Sequence, residues 1–286
     1  MYGGQAAAEQ TLKHGGPITD LSFHKPPQSL AAWVAQRRGL WPSLGTLFLC
    51  GLFGPAWVAA CLLLMDPTAR FWIGRTPLLL VTILVPVLLA VAHALHAVAR
   101  RPRFHPTLLC TVLPAFIVIA CAYRTLVPIR KLAGELMSSD CGGADSERDF
   151  ENAYRTAAQT FSSCAERVAA ATGATVEDTL PVIDIQDCAE YRGSADALKY
   201  GAKWDYLSQL EQTQACSGWC TPGSPSLWTR THKVMDLCAK VAGSQLQGTV
   251  RTLAQQMLWC GVLQMVASLV LIAYAQTAHR KAGMSW

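Results

Sequence analysis

Charge is scarce in this chain. Of its 286 residues only 15% are Asp, Glu, Lys or Arg, where soluble domains carry about 25%. Four long stretches hold none at all: Ser43 to Met65, Pro77 to Ala99, Pro106 to Tyr123 and Leu253 to Ala278. Buried helices of a soluble domain would need nearly all-apolar surfaces on all four, which excludes that reading. Asparagine is almost missing too. Asn152 stands alone and no N-x-S/T sequon exists, so no N-glycan obstructs a partner. There is no HExxH, no phosphate-cradling glycine loop and no nucleophile with a base in local support. Each absence removes a class of enzyme and leaves no cofactor or metal implied.

What is present fits a bilayer. A spanning helix needs about 20 apolar residues, and each stretch is close to that length. The first starts too late for a cleaved secretory signal, and no A-x-A-like site follows it, so it reads as a span that also directs insertion. Residues 1–42 read as an irregular arm, with a short helix near Ser29 to Arg38 lying on the membrane surface. Arg37 and Arg38 precede the first span; Arg100, Arg101 and Arg103 fill the turn between spans two and three; Arg280 and Lys281 follow span four. Positive charge marks the cytoplasmic side, so all three sites predict both termini inside. Residues 66–76 and 128–252 then lie outside, against which only Arg70 and Arg75 speak. Residues 128–255 hold 16 of the 19 acidic and 12 of the 24 basic residues, a net of −4 that leaves +9 elsewhere. The overall +5 is therefore what the positive-inside rule leaves behind and not a nucleic-acid signature. The expected fold is an all-α membrane protein: spans one to three within 43–127, a large, mainly helical outer loop at 128–252, span four at 253–278 and a cytoplasmic tail at 279–286.

The outer loop holds six cysteines, Cys141, Cys164, Cys188, Cys216, Cys220 and Cys238. In an oxidising compartment these read as three disulfides, in any of fifteen pairings. The other five fall in spans, where cysteine is a small apolar residue. A helix is expected from Asp145 to about Ala171, ended by Thr172-Gly-Ala-Thr. Residues 176–190 read as irregular or briefly extended, and Ser194 caps the next helix. A turn region over 216–227 gives way to a helix from about Thr229, with Gly243 and Gly248 as its weak points.

Within the turn lies CSGWCTPGSPSLW, Cys216 to Trp228. A zinc site would want a second ligand pair, and a redox motif would want two residues between the cysteines, not three. Disulfides are the preferred reading, with Cys216 and Cys220 each bridging to a different partner and so stapling the turn that carries Trp219, Pro222 and Trp228. These three are the candidate partner-binding residues.

The order of parts resembles the tetraspanins, with four spans, a small first outer loop, a short inner turn and a large cysteine-bearing loop before the last span. Gln214-Ala-Cys216-Ser-Gly-Trp219-Cys220 looks like a spaced version of that family's Cys-Cys-Gly motif, and Cys238 matches its later loop cysteine. The chain departs from the family in having no adjacent cysteine pair, no acidic residue in spans three and four, and no cysteine in the inner turn or tails. The resemblance implies a non-enzymatic organiser that binds other integral membrane proteins through its large loop and spans, alone, as a homo-oligomer or in a large complex. A second reading is a dedicated structural subunit of one assembly, of ciliary or respiratory type. A third, a small transporter or channel, rests on His93 and His96 on one face of span two and on prolines 55, 86 and 114, which predict kinks. The plainer reading puts both imidazoles at the headgroups. Gln264 in span four is expected to bond to a neighbouring helix.

Overall fold

The computed structural model describes residues 40–98, 104–138, 145–222, 226–229 and 236–281. The chain divides into Met1–Trp41 and Pro42–Trp286, and the second unit is described below; the expected surface helix near Ser29 lies outside the described residues. All regular structure among them is helical. Four helices are long and apolar enough to cross a membrane, over Leu47–Met65, Thr76–Ala94, Val112–Leu136 and Cys238–Tyr274.

Span one is α1, Leu40–Met65, which runs unbroken through Pro55. Asp66 stops it and caps the short α2, Pro67–Trp72, its carboxylate accepting the Ala69 amide at 2.8 Å, with proline at the first helical position. Span two opens with α3, Thr76–Leu79, widens into a π-helical turn over Leu80–Leu84 and continues as α4, Val85–Val98. Pro86 explains a bond between spans here. It has no amide hydrogen to return to the carbonyl of Thr82 four residues earlier, and the indole N–H of Trp57 in span one donates to that carbonyl at 3.1 Å.

Span three, α5, runs from Phe104 to Leu136. This is 33 residues, about 50 Å at 1.5 Å per residue, so the helix carries well past the apolar stretch that ends at Tyr123. Span four is longer still. It begins as α10, Cys238–Gln245, passes a second π-turn at Leu246–Val250 and ends as α11, Arg251–Lys281. The two touch along their length at glycines. A Cβ on Gly261 would stand 2.9 Å from Ile119 Cγ1 and 3.1 Å from Val118 Cγ1, and one on Gly243 would stand 2.7 Å from Met137 Cγ. Gly243 is thus a point of close approach, not a weak point; Gly248 has open space around it and lies in the π-turn.

Between spans three and four lies a helical head. Its α6, Asp145–Thr172, carries Asp145 and Glu147 in the first turn, where the helix dipole favours them. Residues 176–190 are irregular and form no strand, with two short helical pieces set in them: α7, Val176–Thr179, and a 3-10 turn at Ile185–Asp187 with a capping box from the extended Asp184. Short α8, Ala189–Gly193, leads to α9, Ala195–Gln214, whose first turn Ser194 caps by accepting the Ala197 amide at 3.1 Å. The last helix does not start at Thr229. Leu237 is extended and the helix opens at Cys238, because the backbone there is occupied elsewhere: Cys238 donates to the Gly218 carbonyl at 2.9 Å and Ser217 donates to the Asp236 carbonyl at 3.1 Å.

Candidate functional site

Both tryptophans of the segment read as a partner loop lie inside the head. Trp219 is fully buried and stacks on Phe150 with centroids 4.4 Å apart. Trp228 is 3% exposed, and its indole donates to the Tyr191 hydroxyl at 2.9 Å. Tyr191 stacks in turn on Trp204, whose own indole donates to the Ala153 carbonyl at 2.8 Å. Of the three candidate partner residues only Pro222 is exposed. Aromatic rings in a small loop are as useful for filling a core as for meeting a partner, and here two of them fill it.

Two disulfides hold this arrangement. Cys164 joins Cys188, tying α6 to the start of α8, and Cys216 joins Cys238, tying the turn to the first residue of span four's helix. Cys220 is disulfide-bonded as well; Cys141 lies outside the described residues. Cys216 and Cys220 therefore do not pair with each other. Beside the first bridge, Arg167 and Glu190 form a two-pronged ion pair that holds the Glu190 carboxyl down to about 2. The turn itself is shaped by Gly218 at φ 75°, a conformation that favours glycine, after Ala215 closes α9 at φ 50°.

Two buried carboxylates replace a backbone ladder for the turn. Glu151 accepts the Cys220 amide at 2.9 Å and the Thr221 hydroxyl at 3.0 Å, while Arg155 pairs with it at 2.9 Å. Glu211 accepts the amides of Trp228 and Thr229 at 2.8 and 3.0 Å. Burial pushes the Tyr154 hydroxyl up to about 12, although Ser217 lies 3.4 Å from it. Neither carboxylate stood out in the sequence: their role is visible only once α6 and α9 face the turn.

The first loop completes the site. Phe71 stacks on Tyr206 at 4.5 Å and meets Phe150 edge-on at 5.3 Å. Trp72 donates to the Tyr206 hydroxyl at 3.1 Å, that hydroxyl lies 3.3 Å from Thr68 Oγ1, and Thr68 donates to Gln245 Oε1 at 2.6 Å. Burial raises the Tyr206 pKa, so the phenol stays neutral and able to donate. One chain of polar contacts thus joins the first loop, α9 and the root of span four, surrounded by stacked rings.

Within the spans, Gln264 is 1% exposed and points inward together with Ser268, one turn on. Among the described residues its buried Nε2 finds no partner, so no inter-helix bond through that atom is seen among them. His93 is half-buried in α4; the side chain of His96, in the same helix, lies outside the described residues. Among the described residues no group of three His, Cys, Asp or Glu side chains is placed to hold a metal ion.

Among the described residues, fold and site together define an all-helical protein with four helices able to span a membrane and a disulfide-tied head between the third and fourth. No family model, curated protein or solved structure matches it.

Proposed function

We propose that this chain is a non-enzymatic, tetraspanin-like organiser of other integral membrane proteins, with both termini cytoplasmic and the head on the opposite side. The supporting observation is the unbroken core that runs from the spans into the head. Leu63, Val81 and Val118 of the spans belong to the same buried cluster as Phe150, Trp204 and Trp219 of the head. A head mounted this way presents its surface at a fixed height and angle above the bilayer, which suits a scaffold. With Trp219 and Trp228 committed to the core, the contact surface falls to exposed side chains such as Pro222, Val182 at 67% and Leu198 at 91%, and to the apolar faces of the spans.

Quantitative mass spectrometry of the native complex in a gentle detergent tests this. A broad set of substoichiometric membrane partners, thinned by Leu198→Asp, is the expected result. One sharp assembly with integer ratios would replace the organiser with a dedicated subunit.

A further inference from the structure

Glu211 is a buried carboxyl with no cation paired to it among the described residues. It is 1% exposed. Its Oε1 takes the amides of Trp228 and Thr229 and lies 3.4 Å from the Thr229 hydroxyl, and the Leu227 amide adds to them, whereas among the described residues no partner reaches the buried Oε2. Among the described residues no ion pair reaches it. The titratable groups that face it are Tyr154 and Glu151 on α6, whose influence at the Tyr154 hydroxyl is shared with Glu211, and Tyr191 of α8 across Trp228. From the other packed elements, Arg70 of the first loop is engaged with Gln209 at 3.3 Å, and Lys240 of α10 is exposed.

Glu151 provides the contrast. It binds the neighbouring part of the same turn, yet it has Arg155 at 2.9 Å to offset its charge. Glu211 does the same task with donors on one oxygen only. An ionised carboxylate in such a place keeps its amide bonds but loses its hydration, and desolvation without a counter-charge favours the protonated form.

We propose that Glu211 is a pH-responsive latch on the Leu227–Thr229 segment, closed when protonated and loosened when ionised, so that the head is held tighter in an acidic compartment than at neutral pH. Burial pushes the carboxyl up to about 7 from the ordinary 4.5, with the amides of Trp228 and Thr229 pulling the other way. A folded-state value above the unfolded one means that the closed state binds the extra proton. The latch's contribution is therefore complete below about pH 4.5 and is lost as pH rises to about 7. Opening would release Trp228, whose ring otherwise closes the head over Tyr154 and Tyr191.

Hydrogen exchange on the full-length protein in lipid nanodiscs tests the latch, read at Trp228 and Thr229 and corrected for intrinsic exchange. Between about pH 5.5 and about pH 8, wild-type opening should rise by roughly tenfold or more. In Glu211→Gln, which keeps an acceptor oxygen but cannot ionise, it should stay flat. Flat wild-type protection, or an unchanged pH dependence in the variant, overturns the proposal. Should the variant not fold, pH-difference infrared spectroscopy of the wild type decides. A protonated-carboxyl band that vanishes with the same midpoint as the exchange supports the latch, and the lack of such a band overturns it.

Discussion

Trp57 offers a test of how the spans cope with proline. Its indole donates to the Thr82 carbonyl at 3.1 Å, close to the ideal for an N–H···O bond. That carbonyl is the one Pro86 leaves without its helical donor. Trp57→Phe removes the donor but keeps most of the ring, and with Trp57 42% exposed the loss of packing is small. Leaving an acceptor unpaired costs about 1–3 kcal/mol when it is fully buried, and Thr82 is only half-buried. Hydrogen bonds between spans average nearer 0.6, with a maximum of about 1.7, so about 1 kcal/mol is expected here. Pro86→Ala restores a backbone donor within reach of Thr82, and the indole bond then becomes redundant. The assay is a double-mutant cycle by reversible unfolding in mixed lipid–detergent micelles. Trp57→Phe should cost about 1 kcal/mol in the native background and less than half of that in the Pro86→Ala background, a coupling at or above the ~0.3 kcal/mol within which distant sites add. Equal penalties in the two backgrounds would refute the link between Pro86 and the indole.

Trp219→Ala, at a fully buried stacked ring, should cost about 3–5 kcal/mol and show as a large drop in thermal midpoint, where a surface partner residue would leave the midpoint unchanged. Peptide mapping without reduction should recover the Cys164–Cys188 and Cys216–Cys238 bridges and a third bridge through Cys220. Serine at Cys164 and Cys188 together should lower stability by about 2–4 kcal/mol. Gly261→Leu, against Val118 and Ile119, should separate spans three and four and raise proteolysis of the head; Gly248→Ala, with open space around it, should not.

Local features were legible in the sequence because local chemistry produces them. The four apolar stretches, the cap at Ser194 and the end of α6 at Thr172 each follow from residues within a turn or two. The π-turns and the docking of α2 did not show, since Phe71 and Tyr206 approach each other across 135 positions and no periodicity records that. The same cause explains Trp219 and Trp228. A tryptophan beside cysteines and prolines reads as exposed until Phe150, Tyr191 and Tyr154 are found facing it. The helix expected from Thr229 starts at Cys238 because the bonds around Gly218 take the amide that a longer helix would use.

The bond from Thr68 to Gln245 also sets a timetable. The two residues are 177 positions apart, and Trp72 and Tyr206 are 134 apart. At about 5–20 residues per second, the first loop waits roughly 7–27 s after its own synthesis before Tyr206 is made. Through that interval Phe71 and Trp72 lack Tyr206, although spans two and three and Phe150 of α6 are made before it. Variants that slow or misplace α9 should therefore leave these rings uncovered for longer and raise the fraction of chain retained at its site of synthesis.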